Sequence, residues 1–304
     1  MSHAGHAHGA SDETDSRRLG RALALIVAFM AAEIVAGIVA HSLALISDAA
    51  HMLTDAGALL LSLAVIRLVR RPAGGNVTFG LRRLEALSAQ ANGALLLVLA
   101  ALIAYGAVRR LITPPEPDGL TIVVVASIGV VVNLLATREL AGANRASLNV
   151  EGSFQHLLTD LVAFVLTAAA GVVILVTGFN RADAIAALAI AVVMIRAGIE
   201  LLRASGRVLL EMAPEAVDVG EVGEALVRYP QVAEVHDLHV WEIGSGFPAL
   251  SAHVLVDRDA DCHAIRRELE RIVRERFGIA HTTIQVEHAQ ASLLQIEHGE
   301  PAHH

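Results

Sequence analysis

The sequence predicts a polytopic α-helical membrane protein with six transmembrane helices, followed by a small cytoplasmic α+β domain of ferredoxin-like layout. Three observations predict it. The chain is 55% hydrophobic and 18% charged over 304 residues, whereas soluble domains carry about 45–50% apolar residues with glycine counted and about 25% charged. The apolar residues gather into six segments, each reaching the roughly 20 residues needed to cross a hydrocarbon core of about 30 Å. From about Val208 the long apolar runs give way to short elements of mixed periodicity.

The six segments are Leu19–Ala40, Leu43–Val69, Leu84–Val108, Leu120–Leu140, Ser147–Thr177 and Asp183–Leu202. Turn and charge signals separate them, including the run from Arg70 to Gly75, Pro114-Pro115-Glu116-Pro117 and Gly178-Phe179-Asn180-Arg181. The first segment follows Arg17, Arg18 and Arg21 and has no small-residue cleavage pattern, so it reads as a retained span. Arginine placement gives orientation. With alternating loops, one side receives Arg17, Arg18, Arg21, Arg67, Arg70, Arg71, Arg82, Arg83, Arg138, Arg145, Arg203 and Arg207, and the other only Arg109, Arg110 and Arg181. The heavier side is expected to be cytoplasmic, with both termini there and the protein multi-pass in the inner cell membrane.

In the C-terminal part, Val219–Tyr229 and Asp261–Phe277 have helical periodicity, while Val232–Ile243, Ala249–Asp257 and Thr282–His288 read as strands. Helix–strand–strand–helix–strand predicts a small α+β sandwich over 208–289. The transmembrane domain is expected over 17–207. Residues 1–16, with His3, His6 and His8, and residues 290–304, with His298, His303 and His304, are expected to be disordered histidine-containing tails. The net charge of −8 argues against nucleic acid as a partner. The single cysteine, Cys262, excludes an intrachain disulfide and a cysteine-rich metal cluster.

Ionisable groups within membrane spans are costly and mark ion or proton paths. The second segment carries His51 and Asp55, one helical turn apart on one face, with Asp48 as a candidate vestibule residue one turn away. The fifth carries His156 and Asp160 in the same order and spacing. Both pairs fall near the middle of their segments. Two imidazoles and two carboxylates on facing helices suit tetrahedral Zn²⁺, and the lack of thiolate argues against Cu(I). Glu33, Asn92, Asn133 and Asp183 read instead as helix–helix hydrogen-bonding, span-end or vestibule groups.

These motifs resemble the cation diffusion facilitator family. Ser47-Asp48-Ala49-Ala50-His51-Met52-Leu53-Thr54-Asp55 resembles its second-helix signature, the run from Thr78 to Glu85 the start of its third helix, and His156-Leu157-Leu158-Thr159-Asp160 its fifth-helix signature. Three further stretches, from Val235 to Trp241, Leu250 to Val254 and His281 to Glu287, resemble the cytoplasmic domain of the zinc- and cadmium-efflux branch. The resemblance implies a homodimer that exports Zn²⁺ against protons, with His51, Asp55, His156 and Asp160 as the transport site and Cd²⁺, Co²⁺ or Ni²⁺ as alternative cargoes. The loop Arg70–Thr78 contains no Asp, Glu or His, so the additional site some relatives carry there is not expected.

By the same resemblance His236, His253 and Glu287 bind a regulatory metal in the cytoplasmic domain, with His281 at a neighbouring site. Strand alternation leaves a choice open. His236 shares its phase with the apolar Leu238 and Val240, whereas His239 faces outward, so either His236 precedes the regular strand or His239 is the ligand. Because a metal ligand must be deprotonated, metal and protons compete for one site, and an inward proton gradient then drives metal outward. A membrane enzyme is disfavoured by the absence of a His-Glu-x-x-His motif. A membrane metal sensor that does not transport predicts no metal-coupled proton flux.

Overall fold

A computed structural model describes residues 6–39, 43–113 and 119–289 of the chain; the side chains of 6–13, 33, 36–39, 43–51 and 53–55 lie outside that description. Six helices come first: α1 (His6–Val39), α2 (Leu43–Val69), α3 (Arg83–Ile112), α4 (Gly119–Ala141), α5 (Leu148–Thr177) and α6 (Arg181–Leu209). They are followed by α7 (Val219–Val227), β1 (Val232–Gly244), β2 (Phe247–Val256), α8 (Cys262–Phe277) and β3 (His281–His288). The chain forms two compact units, with the break between Leu210 and Glu211.

Among the described residues, four helices (α3, α4, α5 and α6) are long and apolar enough to cross a membrane, and α2 contributes a shorter apolar stretch, Ala56–Val69. Their outward faces carry large apolar side chains in the open, among them Val98, Leu102, Val131, Val176 and Val192, as lipid-facing surfaces do. The polar residues inside the spans turn to protein instead. Asn133 donates to the Gly129 carbonyl of its own helix at 3.3 Å, and Asp183 pairs with Arg110 at 2.8 Å.

Helix pairing follows side-chain size. On α3 and α6, Gly93 and Gly198 face each other: a Cβ on either would stand 3.0–3.1 Å from the other's carbonyl oxygen. Small residues admit that close approach of helices, and Leu96, Ala100, Ile190, Met194 and Ala197 fill the seam beside it. A second cluster joins Ala22 and Ile26 of α1, Met52, Ala56 and Leu59 of α2, Ala136 and Leu140 of α4, and Phe154 and Leu157 of α5.

The N-terminal segment departs from expectation. Residues 6–16, expected to be disordered, continue α1 as helix. Among the described side chains Asp15 supplies a reason: it is buried and accepts a hydrogen bond from the Asn144 amide at 2.9 Å, docking this end of α1 on the α4–α5 connection. The C-terminal tail, with His298, His303 and His304, lies outside the described residues, as does His3.

The C-terminal unit has the predicted helix–strand–strand–helix–strand order. Its sheet has strand order β1-β2-β3, with β2 and β3 parallel and Leu250 opposite Thr282, Val254 opposite Val286. Asp218 and Asp261 cap α7 and α8 by accepting from backbone amides two and three residues on, and Gly278 closes α8 at φ 70°. Both helices pack on one sheet face: Val222 and Leu226 of α7 and Ile265, Leu269 and Val273 of α8 meet Leu250, Ala252, Val254 and Ile284. Strand alternation therefore leaves the other face with His253, Gln285 and Glu287.

Candidate metal centres

The first candidate concerns α2 and α5, the helices that carry the two His/Asp pairs. Leu63 and Ile66 share a cluster with Val150, while Met52, Ala56 and Leu59 share one with Phe154 and Leu157. Rising α5 numbers meet falling α2 numbers, so the helices are antiparallel. Their crossing is fixed by polar contacts. The Ser62 and Ser153 hydroxyls are 2.6 Å apart, and the Asn149 amide donates to the Ser62 carbonyl at 2.9 Å. The Ser153 hydroxyl also reaches the Asn149 carbonyl of its own helix at 3.2 Å.

That crossing sets a register. Asp55 stands seven residues before Ser62, and Asp160 seven after Ser153. Seven residues are about two turns and about 10 Å of rise, which returns to the same helix face. The backbones at 55 and 160 therefore stand at one level on the facing sides of the pair, with 156 one turn to one side of that level and 51 one turn to the other. His156 is 1% exposed, and its Nε2 lies 3.7 Å from Asp160 Oδ2. The side chains of His51, Asp55 and Asp48 lie outside the described residues. Thr159 folds its hydroxyl back onto the Gln155 carbonyl at 2.7 Å, which satisfies it within α5.

At the start of α5, Arg145 grips Glu151 through two bonds of 2.7 and 3.0 Å and lies over the Phe154 ring at 4.0 Å. Glu151 holds the Arg145 guanidinium above its ordinary value by accepting these bonds.

The second centre is on the open face of the C-terminal sheet. His236 Nδ1 lies 3.3 Å and His253 Nδ1 3.7 Å from Asp237 Oδ2, and the two imidazole rings are 5.3 Å apart. One donor atom from each of the three residues falls within 4.8 Å of the others. The structure thus brings His236, and not His239, to His253. The reason is in the backbone: Asp237 has φ 48°, a left-handed conformation that interrupts the strand as a bulge does. Val235 and Leu238 both pack toward the core, although they are three residues apart, so the phase slips at Asp237. His236 is released to the outer face, and His239 is left exposed beside Trp241.

Asp237 was not singled out as a ligand from the sequence. Its signal was there: a strand with apolar residues at 235, 238 and 240 cannot alternate without an irregularity. Glu287 shares the outer face with His253, two residues past Gln285, the partner of His253 across the ladder. It is not among the three clustered donors, and its carboxylate accepts from the Gln285 amide. His281 stands apart, opposite Ala249 at the far end of β3, with its ring 5.7 Å from that of Phe247. Cys262 is the first residue of α8 and His263 the second; neither is among the clustered donors.

Residues 19–210 match the cation efflux transmembrane domain, and residues 214–289 match the cation efflux protein cytoplasmic domain. The chain belongs to the cation efflux family. It is a multi-pass membrane protein of a family of cation efflux transporters. Among similar proteins, the metal cation efflux system protein CzcD of Cupriavidus metallidurans is 39% identical over 303 residues, covering 98% of this chain and 96% of that one. The zinc transporter ZitB of Escherichia coli is 35% identical, covering 95% and 93%. The cadmium, cobalt and zinc/H(+)-K(+) antiporter of Bacillus subtilis is 33% identical, covering 93% and 92%. A solved structure of the metal-bound C-terminal domain of the CzcD transporter from Cupriavidus metallidurans matches at 36% identity and TM-score 0.23, covering 23% of this chain and 99% of that one.

Proposed function

We propose that this protein exports Zn²⁺ from the cytoplasm in exchange for protons, with His51, Asp55, His156 and Asp160 binding the metal as cargo. Cd²⁺ and Co²⁺ are the nearest alternative cargoes, in keeping with the names of its relatives, and Ni²⁺ shares the same ligand preferences. The observation that carries the reading is the α2–α5 register set by Ser62 and Ser153, which levels positions 55 and 160 across an antiparallel pair. Two nitrogen and two carboxylate donors suit a tetrahedral cation. Cargo and protons compete for these donors, because each must be deprotonated to bind metal. Exchange follows when the site alternates between the two sides of the bilayer.

The same reading places six spans in the inner membrane, with both termini and the C-terminal unit in the cytoplasm and Asp48 in a vestibule. It makes the protein a homodimer. It also gives the C-terminal unit a regulatory metal. The fit of the residues to such an ion is good: His236, Asp237 and His253 offer two nitrogens and an oxygen within one ion's reach, and Glu287 lies on the same face. His281, at the far end of β3, is left for a neighbouring site. Such an ion would cross-link strands β1 and β2 and stiffen that end of the sheet.

The test is metal uptake into proteoliposomes under an imposed pH gradient, comparing Zn²⁺, Cd²⁺, Co²⁺, Ni²⁺ and Mn²⁺. Zn²⁺ uptake that follows the gradient and vanishes in Asp55→Ala and Asp160→Ala is expected. Binding without gradient-driven uptake would make the protein a sensor and overturn the reading.

A further inference from the structure

Lined by α1 and α4 is a cavity of about 680 Å³ that includes no residue of either metal centre. Four arginines line it, Arg17, Arg18 and Arg21 from α1 and Arg138 from α4, together with Leu25 and Leu135. The α1 positions 18, 21 and 25 recur at helical spacing, so they share one face. Glu139 supplies a carboxylate to the lining. It accepts from Arg21 at 3.4 Å, and Arg18 donates to its main-chain carbonyl at 3.2 Å. Among the described lining residues, four guanidinium groups stand against one carboxylate, an excess of positive charge.

Its position along the helices gives the charge a meaning. α4 is apolar over a membrane-crossing length and ends at Ala141, so Arg138 sits at the level where hydrocarbon gives way to headgroups. Leu135 stands about one turn deeper than Arg138, and Leu25 one turn beyond Arg21 on the neighbouring helix. The cavity is thus cationic at the membrane surface and apolar toward the membrane interior. A phospholipid has the same order: a phosphate at the surface and acyl chains below it. Guanidinium forks match phosphate oxygens in pairs, and basic pockets between membrane helices bind anionic headgroups.

We propose that this cavity binds the phosphodiester headgroup of an anionic phospholipid, with Arg21 and Arg138 holding the phosphate and Leu25 and Leu135 seating the first carbons of the chains. The full-length protein in nanodiscs of mixed phosphatidylcholine and phosphatidylglycerol, analysed by native mass spectrometry, is expected to retain phosphatidylglycerol preferentially. Arg21→Gln and Arg138→Gln should each weaken that retention about fivefold, the equivalent of ~1 kcal/mol per arginine near a membrane surface. Arg138→Lys keeps the charge and should keep most of the retention, which separates lost binding from misfolding. Arg70→Gln, an exposed arginine outside the cavity, should change nothing. Equal retention of the two lipids, or equal losses in Arg138→Gln and Arg70→Gln, would overturn the proposal. Displacement of the lipid by millimolar inorganic phosphate would overturn it too, assigning the cavity to a free anion instead.

Discussion

The α2–α5 crossing yields a prediction that tests the register directly. Ser62 and Ser153 are both buried, at 0% and 1% exposure, with their hydroxyls 2.6 Å apart. Alanine at either position removes the bond across the helices. Alanine at 153 also removes the internal bond to the Asn149 carbonyl, so the single changes should cost unequal amounts. A double-mutant cycle isolates the shared contact. Interhelical hydrogen bonds within a membrane average ~0.6 kcal/mol and reach ~1.7 kcal/mol in such cycles. The serine pair is short and dry, and the Asn149 amide bonds the Ser62 carbonyl beside it at 2.9 Å. Its coupling should therefore fall in the upper half of that range, on the order of 1–1.7 kcal/mol. The assay is unfolding of the full-length protein by titration with a denaturing detergent, for wild type, Ser62→Ala, Ser153→Ala and the double variant. Ser62 with Thr159 serves as the control pair and should be additive, because the Thr159 hydroxyl is bonded within α5. Additive losses for Ser62 and Ser153, with coupling indistinguishable from zero, would mean the two helices are not in this register. The levelling of positions 55 and 160 would fall with it.

Three further outcomes are expected. At Asp237, φ 48° favours glycine and penalises a β-branched side chain. Asp237→Gly should therefore keep the fold but weaken Zn²⁺ binding in calorimetry, whereas Asp237→Val should also lower stability by ~1–2 kcal/mol. Alanine at Gly198 would place a methyl 2.9 Å from Leu97 Cδ2 and 3.0 Å from the Gly93 carbonyl oxygen. Overpacking of that kind costs ~1–3 kcal/mol, read as a lower thermal midpoint, and Gly20→Ala, where a methyl meets nothing within 4 Å, is the control. Asp261 accepts from the amides of Ala264 and His263, which hold its carboxyl below the ordinary value of 3.8. A depressed value means that the cap's stabilisation is complete above the ordinary value and fades as pH falls below it. Asp261→Asn, whose amide oxygen still accepts, should flatten that acid loss, followed by the fluorescence of Trp241.

Much of this protein could be read without coordinates, for identifiable reasons. Long apolar runs bounded by arginine, proline and glycine specify spanning helices, because a bilayer forces every backbone polar group to be satisfied within its own helix. The order of elements after Val208 was equally readable, since helical and strand periodicity are local patterns; the caps at Asp218, Asp261 and Gly278 act on the same neighbouring backbone. The start of α1 was misread, because what holds Asp15 is an amide 129 residues away.

The sequence by itself determined which chemistry is present: two His/Asp pairs four residues apart, and histidines on the strands of the C-terminal unit. Residue type and helical spacing are written in the chain, and they limit the donors to nitrogen and oxygen. Only the tertiary structure decided how such groups are disposed. It set the α2–α5 register through Ser62 and Ser153, chose His236 over His239 by a slip of phase at Asp237, added Asp237 to the cluster and left His281 at the far end of its strand. Those decisions depend on contacts between residues distant in the chain, and on one backbone angle that alternation of side chains cannot encode.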